Sequence, residues 1–415
     1  MASDEVLDLA VIGGGASGFF TALRYAELAP GKRVAIFEKG GVFLQKVRIS
    51  GGGRCNVTHA CFDPGELAKS YPRGARELRA AFHRWQPRDT LEWFAARGVT
   101  LKTEADGRMF PATDSSETII NCFLSEAREA GIPLLQQHAL TAVARADGGE
   151  FLLTFEKHAV PVRARAVCIA TGSLKGSTLL DSLRALGQKL EPLVPSLFAF
   201  NVDDARLAGL AGVAHPRVGV RREGGRTAQH GPLLITHRGV SGPAILRLSA
   251  WDAREMAAAN HHFGFLVDWL PDLTEEAVQA LLLESRAVHG AKLVRNVAIA
   301  PIPRRLWENL VSGCGIDAAV TWAQLGKPAA RALLGALKAS RFEAAGKTTN
   351  KDEFVTCGGI GRATVDFRTM ESRVTPGMYF VGEALDVDGI TGGFNFQAAW
   401  TTAHIAAAAL AGCHG

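Results

Sequence analysis

The sequence predicts an α/β fold, in which a Rossmann-like domain is built from both ends of the chain and a second domain is inserted between them. Residues 6–38 have the order strand, glycine-rich turn, helix, strand, which is the opening of such a domain. Residues 378–410 again give a strand, a glycine turn and a helix. Between these stretches the pattern changes to hairpin-linked strands followed by helices, a mixed β-barrel-like and helical block. The predicted domains are therefore 1–190 with 351–415, and 191–350.

The N-terminal unit has the spacing of a dinucleotide-binding motif. Leu7–Ile12 is an apolar run suited to a buried parallel strand, and the three glycines after it fill the pattern G-x-G-x-x-G. They allow a tight turn, a close approach of the backbone to a pyrophosphate, and close packing of the helix on the strand. Glu38 ends the next strand roughly 20 residues later, where an acid accepts hydrogen bonds from ribose hydroxyls. The candidate cofactor contacts in this unit are Gly13, Gly15, Ala16, Ser17, Gly18, Glu38 and Lys39.

A second glycine-rich stretch covers residues 46–58. Three consecutive glycines between two arginines make a backbone that can lie flat against a ligand while the cations meet its phosphates. A flexible surface loop is the alternative. The lone Cys55 is either a small packing residue or a redox group, and it stays a candidate catalytic residue. The candidate cofactor contacts here are Arg48, Gly51, Gly52, Gly53, Arg54 and Asn56.

Residues 63–98 have a helical pattern rich in arginine and aromatic side chains. Arginines on phosphates and rings stacked on bases would serve RNA. An amphipathic helix pair with a solvated basic face is the alternative interpretation. The residues concerned are Arg73, Arg76, Arg79, Arg84 and Arg88, with Tyr71, Phe82, His83 and Trp85.

Short strands continue the first domain. Residues 132–143 give two of them, and residues 150–169 are predicted to add three more. The last strand runs into a turn of small residues, which can place backbone beside a bound dinucleotide. The candidate cofactor contacts here are Leu140, Ala170, Thr171 and Gly172.

The inserted block begins with strands up to about residue 236, and residues 274–345 are mostly helical in pattern. The block contains no second strand–G-x-G-x-x-G–helix unit, so the chain is expected to bind one dinucleotide tightly. The polar turn 236–243 places His237 between apolar runs. This histidine is either a candidate catalytic acid or base, or a turn residue satisfied by the backbone.

The C-terminal section returns to the first domain. A strand over 378–381 ends in Gly-Glu, and the glycine pair 392–393 precedes an alanine-rich helix that runs to Leu410. The N–H groups at such a helix start suit the anionic N1–C2=O edge of a reduced flavin. The candidate cofactor contacts here are Gly382, Glu383, Asp386, Gly392, Gly393, Phe394 and Asn395.

Together, the stretches 49–58, 236–243 and 382–397 resemble the BaiN-like flavoproteins, also called the aminoacetone-oxidase family of FAD-binding enzymes. The resemblance covers essentially the whole chain and implies a discontinuous FAD domain with an inserted domain of strands and helices. It implies FAD as the cofactor, contacted by the glycines and polar residues named above. Two positions depart from the family's pattern: His59, where many relatives carry asparagine, and 394–396, where tyrosine and leucine are frequent.

The resemblance also implies hydride transfer through the flavin N5, with NADH or NADPH as a transient donor. Family members have been linked to aminoacetone oxidation, bile-acid reduction and reduction of uridine in ribosomal RNA, and likeness of fold does not choose among these. The leading hypothesis is an FAD-dependent oxidoreductase that reduces an activated double bond or oxidises a small amine or alcohol. The alternatives are an RNA-modifying flavoenzyme that makes dihydrouridine, and a non-enzymatic flavin-holding protein.

The composition of the chain limits the class of protein, its cellular location and its partners. The chain has 415 residues, 47% hydrophobic content and 45 glycines, which is typical of a folded α/β protein with two or three domains. No apolar run reaches the length of a membrane span, and the acidic start argues against a secretory signal. Seven cysteines without a C-x-x-C pair indicate neither a zinc site nor a disulfide framework, so a cytoplasmic protein without a metal is expected. A net charge of +5 permits an RNA partner beside a small-molecule substrate, without demanding one.

Overall fold

The computed structural model describes residues 6–348 and 355–413. The strands in these ranges are β1 (Leu7–Ile12), β2 (Val34–Phe37), β3 (Thr58–His59), β4 (Leu101–Thr103), β5 (Arg108–Pro111), β6 (Leu134–Leu135), β7 (Leu140–Arg145), β8 (Phe151–Phe155), β9 (Val162–Ile169), β10 (Leu190–Ser196), β11 (Ala199–Asn201), β12 (Ala214–Arg222), β13 (Gln229–Thr236), β14 (Gly239–Ser241), β15 (His262–Asp268), β16 (Ser340–Ala345), β17 (Lys347–Thr348), β18 (Val355–Ile360), β19 (Val365–Asp366), β20 (Glu371–Ser372) and β21 (Met378–Phe380). The α-helices are α1 (Ala16–Leu28), α2 (Gln45–Gly53), α3 (Pro64–Ala68), α4 (Ala75–Ala81), α5 (Pro87–Ala95), α6 (Ser116–Glu129), α7 (Leu180–Ala185), α8 (Pro243–Trp251), α9 (Ala253–Ala258), α10 (Glu275–Val288), α11 (Arg304–Gly313), α12 (Lys327–Lys338) and α13 (Phe394–Leu410).

The chain divides into two compact units. Among the described residues, 6–194 with 355–413 form the first unit, and 195–348 form the second. The first boundary between the units lies at 194/195, whereas the sequence predicts it at 190/191. The boundary predicted at 350/351 lies outside the described residues.

A parallel sheet organises the first unit. Its strands lie in the order β21-β9-β1-β2-β6, and each neighbouring pair runs parallel. Strands β1 and β2 are almost wholly apolar and buried, as expected in a parallel sheet that is covered on both faces. Strands β20 and β19 extend the sheet beyond β21 in antiparallel pairs. A strand from near the C-terminal end thus pairs with β9, and the predicted Rossmann-like fold is confirmed.

Helices α1 and α13 pack in the core of the first unit. The ring of Phe20 on α1 lies 5.4 Å, between centroids, from Trp400 on α13. Helix α13 is alanine-rich and apolar on most of its faces, which is the pattern of a helix that is buried all round. Its alanines let neighbouring elements approach closely. The helix begins directly after the glycine pair and ends at Leu410, as predicted from the sequence.

The second unit contains an antiparallel sheet with the order β16-β15-β12-β13-β14-β11-β17. The two outer strands, β16 and β17, are consecutive in the chain and are separated by Gly346 alone. The path of the sheet therefore returns on itself in a barrel-like manner, as the sequence predicts. Helices α8 to α12 belong to the same unit.

Two predicted elements are wrong in detail. Residues 150–169 form two strands rather than three, because β9 is continuous from Val162 to Ile169. The helical region predicted for 274–345 ends at Lys338, and β16 follows it with residues that alternate strictly between buried and exposed. A period of two over only six residues is a short signal beside a long helical pattern.

Candidate cofactor site

Four loops of the first unit leave the parallel sheet at one edge. Phe37, Ile12, Ile169 and Phe380 are aligned in register across β2, β1, β9 and β21. Because these strands are parallel, the residues that follow them emerge side by side at the carboxyl edge, where open α/β sheets bind ligands. The predicted contacts at this edge are Gly13, Glu38, Ala170, Thr171, Gly172, Gly382 and Glu383. The fold therefore brings together candidates from both ends of the chain.

The turn after β1 is tightly packed on one side and open on the other. An added Cβ at Gly18 would lie 1.9 Å from the carbonyl oxygen of Gly13, so this close approach requires glycine. An added Cβ at Gly15 would meet no atom of the described chain within 4 Å. Helix α1 starts at the next residue, and no side chain of the described residues caps it or places an acid in its first turn. Its first N–H groups are therefore left for an anion such as a pyrophosphate.

We expect Gly15→Ala to weaken FAD binding while leaving the unliganded fold intact. Its φ of −94° suits alanine, and the new methyl group has room, but it occupies the space through which a pyrophosphate approaches the backbone. Overpacking of this kind costs about 1–3 kcal/mol, or roughly 5- to 150-fold in the FAD dissociation constant. Flavin titration and the melting temperature of the FAD-free protein measure the two effects.

Gly18→Ala is the matched contrast, because its methyl group would overlap backbone rather than open space. It should lower the melting temperature of the FAD-free protein. Equal FAD affinity for Gly15→Ala and the unaltered protein would place the pyrophosphate elsewhere.

The Glu38 carboxylate is held beside the glycine turn. One oxygen accepts from the N–H of Gly14 at 2.8 Å, and the other accepts from the N–H of Gly40 at 2.7 Å. A carboxylate oxygen has two lone pairs, so each can accept a further bond from a ribose hydroxyl. The backbone carbonyl of Glu38 accepts from the N–H of His138. This bond brings the segment that leads into β7 close to Glu38, and Leu140 at the start of β7 is buried.

Glu38→Ala should weaken FAD binding by about 1.5–3 kcal/mol, the range for a hydrogen bond to a charged group. Since Glu38 also satisfies two backbone N–H groups, some loss of stability is expected as well. The FAD dissociation constant is compared with that of Glu129→Ala, which removes an exposed carboxylate from α6. An unchanged FAD dissociation constant would show that Glu38 does not bind the ribose.

The glycine triplet is open. Helix α2 kinks at Ser50, and Gly51, Gly52 and Gly53 have φ values of +58°, +69° and +84°. All three are exposed, and an added Cβ at either of the last two would meet no described atom within 4 Å. The stretch predicted as a loop is thus helical at its start and ends in left-handed backbone that a ligand can approach.

The two arginines around this triplet are engaged by carboxylates. Arg48 is bonded to Glu117, while Arg54 donates to Glu104 at 2.7 Å and lies 3.5 Å from Asp114. The hydrogen bond to Glu104 raises the pKa of the Arg54 guanidinium. Each of these cations thus has an acidic partner, and contact of either one with a phosphate stays a prediction.

The end of the glycine stretch is bonded to the start of α13. The side-chain oxygen of Asn56 accepts from the N–H of Gly393 at 2.9 Å, and its nitrogen donates to the carbonyl of Thr58 at 3.0 Å. The Gly393 donor, expected to face the flavin, is thereby occupied. No side chain of the described residues caps α13, so the N–H groups that follow Gly393 in its first turn are the ones left for an anionic ligand edge.

Side chains around this helix start are fixed by further contacts. The His59 ring stacks on Phe394, with centroids 4.6 Å apart and planes inclined by 21°. The amide of Asn395 accepts from the N–H of Gly389 at 2.8 Å and donates to its carbonyl at 2.9 Å. Asn395 therefore holds the loop before α13 in place, using both ends of its amide.

Glu383 and Asp386 also have partners within the first unit. Glu383 forms an ion pair with Lys46 at 2.5 Å and accepts from the N–H of Thr356 at 2.9 Å. Asp386 is buried and accepts from Arg362 at 2.9 Å. Sequence reasoning missed Lys46 as a partner of Glu383, because no local pattern connects residues 337 positions apart.

The two candidate catalytic residues have opposite environments. Cys55 is fully buried, and burial raises the pKa of its thiol to about 12, so the thiol stays protonated at neutral pH. The structure does not support a catalytic thiolate there and matches the alternative of a packing residue. His237 is exposed in the turn between β13 and β14 of the second unit, and its catalytic role stays a prediction.

The arginine-rich stretch has a single exposed ring, His83, among the four named from the sequence. It forms three short helices, α3 to α5, rather than a helix pair. The rings of Tyr71, Phe82 and Trp85 are buried, so they are not presented to bases, and Arg73 is buried in an ion pair with Asp388. The remaining basic side chains are solvated to different degrees. This arrangement matches the alternative interpretation, in which amphipathic helices bury their rings and expose a basic face.

The residues present fit FAD. The uncapped start of α1, the open space at Gly15 and the anchored Glu38 carboxylate supply a pyrophosphate site and a ribose acceptor at one sheet edge. Gly13, Gly15, Gly18 and Glu38 would hold the dinucleotide, with Thr171, Gly172 and Gly382 beside them at the same edge. In the described part of the chain, no group of three or more histidine, cysteine, aspartate or glutamate side chains is placed to hold a metal ion.

Comparison with known proteins agrees with this geometry. The family model described as HI0933-like protein Rossmann domain matches residues 7–409. The chain is 30% identical over 409 residues to the ribosomal RNA dihydrouridine synthase of Escherichia coli strain K12, covering 96% of each. It is 28% identical over 421 residues to the 3-dehydro-bile acid delta(4,6)-reductase of Clostridium scindens, covering 97% of this chain and 98% of that protein.

A solved structure has a similar fold. The 3-ketosteroid delta1-dehydrogenase from Sterolibacterium denitrificans aligns with a TM-score of 0.53 at 12% identity, covering 98% of this chain and 99% of that one. At this identity the likeness is one of fold alone. Over residues 6–348 and 355–413, none of the helices combines the length and the apolar character needed to cross a membrane.

Proposed function

Since the chain belongs to the HI0933-like family of Rossmann-domain proteins and is an FAD-dependent oxidoreductase, we propose that it reduces a carbon–carbon double bond conjugated to a carbonyl, with NADH or NADPH as the electron donor. The observation that carries the cofactor half of this proposal is the carboxyl edge of the parallel sheet. There, an open glycine, an uncapped helix start and an anchored acid lie together.

The residues of the first unit have separate tasks in this reaction. FAD, once reduced by NADH or NADPH, would supply a hydride from N5 to the substrate. The N–H groups of α1 bind the pyrophosphate, and the Glu38 carboxylate orients the ribose by accepting from its hydroxyls. Asn56 accepts from the N–H of Gly393, and the Tyr71 hydroxyl donates to the carbonyl of Phe394; these two bonds fix the start of α13 and the direction of its remaining N–H groups. Precise positioning of this kind is the protein's main contribution in cofactor enzymes.

The double-bond part of the proposal rests on what two relatives have in common. One is named for making dihydrouridine, which is uridine with its C5=C6 bond reduced, and that bond is conjugated to the C4 carbonyl. The other is named as a delta(4,6)-reductase of a 3-dehydro bile acid, whose double bonds are conjugated to the C3 carbonyl. Either bond would be saturated by a hydride added to the carbon remote from the carbonyl and a proton added to the carbon beside it. The common chemistry supports this reaction over oxidation of an amine.

A second candidate narrows the substrate to uridine in ribosomal RNA. The observation in its favour is the 30% identity that extends over 96% of both this chain and the RNA-modifying relative. A bile-acid substrate has nearly the same support at 28% identity, so the broader proposal is the double-bond reduction itself.

The test is a pair of half-reactions on the purified, FAD-loaded protein. We expect a yellow protein whose flavin is bleached anaerobically by NADH or NADPH. Its colour should then return on addition of a steroid 4,6-dien-3-one or of a uridine-containing ribosomal RNA transcript. Aminoacetone is the contrasting compound. A flavin that is reduced by aminoacetone but passes no electrons to either conjugated substrate would overturn the proposal, as would a protein that binds no flavin.

A further inference from the structure

A basic groove lies on the first unit, at the far end of α13 from the glycine pair. It has a volume of about 830 Å³ and is lined by residues on and just after α4 (76–84), by the segment 362–373 and by the last turn of α13. Five of the lining residues are arginines, namely Arg76, Arg84, Arg362, Arg368 and Arg373. The acids of the lining are Glu77 and Asp366. Buried Asp386 behind the lining binds Arg362, so five positive charges face three negative ones and a surplus of two remains.

The arginines are held in place without being fully neutralised. Arg368 and Arg373 share the single carboxylate of Asp366, at 2.7 and 3.5 Å, and together they lower the pKa of that carboxyl to about 2. Arg76 is exposed, and within the described residues it has no carboxylate at ion-pair distance. Such guanidinium groups present paired N–H donors to anionic oxygens, a geometry that matches phosphate.

The groove also has an aromatic side chain. Phe367 lines it and is half-buried, in the middle of the arginine-rich segment. Cations that follow a phosphate backbone, with a ring on which a base can stack, are the usual elements of a site for single-stranded nucleic acid. The groove thus combines this ring with arginines from two segments, since Arg76 and Arg84 belong to the stretch 63–98.

The position of the groove distinguishes its ligand from a hydride donor. Ala409 lines the groove and Gly393 caps the other end of α13, so roughly 24 Å of helix separates them at 1.5 Å per residue. A small donor confined to the groove would be too far away to act at that end of the helix. A polymer with repeated phosphates can occupy the groove while another part of it reaches the reaction site.

We propose that this arginine-lined groove binds the phosphate backbone of an RNA substrate. The inference deepens the proposed function and rests on it, because it names RNA as the substrate class. Binding should weaken steeply with salt, since each phosphate that an arginine neutralises releases a counterion. The groove positions the RNA and does not itself take part in the reduction.

The test measures binding of a fluorescein-labelled single-stranded RNA oligonucleotide to the FAD-loaded protein by anisotropy, at increasing NaCl. The variant carries Arg76→Ala and Arg368→Ala; the latter side chain is 84% exposed. We expect roughly tenfold weaker binding at low salt. The slope of log K against log salt should become shallower by roughly 1.4, which is about 0.7 for each arginine removed.

The matched control carries Arg128→Ala and Arg217→Ala. Like the groove pair, it removes one exposed arginine and one that is paired with an aspartate, here Asp272. It should bind the RNA as the unaltered protein does. Equal losses in the two variants, or none in the groove variant, would overturn the inference, and so would displacement of the RNA by NADPH that depends on Arg76 and Arg368.

Flavin reduction and reoxidation by the steroid dienone are followed in the same preparations. If the groove variant binds RNA normally while the flavin half-reactions proceed, the groove inference alone fails. If no preparation passes electrons to a conjugated double bond, the proposed function fails whatever the RNA binding shows.

Discussion

Asp388→Ala is expected to lower the free energy of unfolding by about 3–5 kcal/mol, the cost of breaking a buried ion pair by removing one partner. The Nε of Arg73 donates to one carboxylate oxygen of Asp388 at 2.6 Å, and an Nη atom donates to the other. The side chain of Asp388 is 0% exposed and that of Arg73 is 8% exposed. Removing the carboxylate takes away the counter-charge that Asp388 supplies to a buried guanidinium. Urea denaturation of the full chain measures the loss.

The location of this pair gives it a second consequence. Asp388 lies in the loop between β21 and α13, and Arg73 lies just before α4, so the pair ties the N-terminal segment to the loop that leads into α13. The Asp388→Ala protein should therefore also lose FAD affinity, because the start of α13 is less firmly held. FAD titration below the unfolding transition separates this effect from global unfolding.

Two variants control the Asp388 experiment. Asp272→Ala removes the partner of Arg217 in an exposed pair and should cost about 0–1 kcal/mol. The double variant Arg73→Met with Asp388→Leu removes both charges and should recover most of the stability, because apolar pairs often replace buried ion pairs without loss. If Asp388→Ala proved no more harmful than Asp272→Ala, the buried pair would not stabilise the fold.

The parts of the fold that the sequence predicts are those with a local signature. The strand Leu7–Ile12, the glycine turn and the acid at Glu38 lie within one stretch whose spacing is set by a single turn and a single helix. The last helix is equally local, since the glycine pair and the alanine-rich run define its start at Phe394 and its end at Leu410. The structure places these elements where the pattern indicates.

The charge partners could not be predicted, because they depend on which loops meet in space. Arg48 and Arg54 look like phosphate ligands beside a glycine triplet, yet Glu117 and Glu104 come from a helix and a loop well beyond that stretch. The aromatic residues of the stretch 63–98, such as Tyr71, alternate with charged residues, but periodicity alone does not show which face of a helix is buried. For these residues the sequence shows the type of side chain but not the groups that surround it in the fold.

The arginine-lined groove also could not be predicted from the sequence, because it is formed by segments that meet only in the folded chain. Arg76 and Arg84 come from the arginine-rich stretch recognised in the sequence, while the other three arginines come from the segment 362–373, which is distant in the chain. The meeting of this stretch with the second segment has no counterpart in composition or spacing, and a net charge of +5 over 415 residues does not indicate it. Only the tertiary structure brings these charges together.

His237→Gln is expected to slow reoxidation of the reduced flavin by the conjugated substrate by roughly 10²- to 10⁴-fold, the usual contribution of a positioned acid or base. Saturation of a double bond needs a proton as well as a hydride, and His237 is our candidate for supplying it. The residue is exposed in a two-residue hairpin, since Thr236 pairs directly with Gly239 across the turn. So short a turn fixes the direction of the backbone at His237, which a proton donor requires.

Stopped-flow measurement of the two half-reactions separates a catalytic histidine from a structural one. A proton donor to the substrate affects reoxidation and leaves flavin reduction by NADH or NADPH, FAD content and melting temperature unchanged. His230→Gln is the matched control, because His230 is an exposed histidine on β13, the strand that leads into the same turn. Unchanged reoxidation in His237→Gln, or an equal loss in both variants, would remove the histidine from the reaction, and the proton would then have to come from another group or from water.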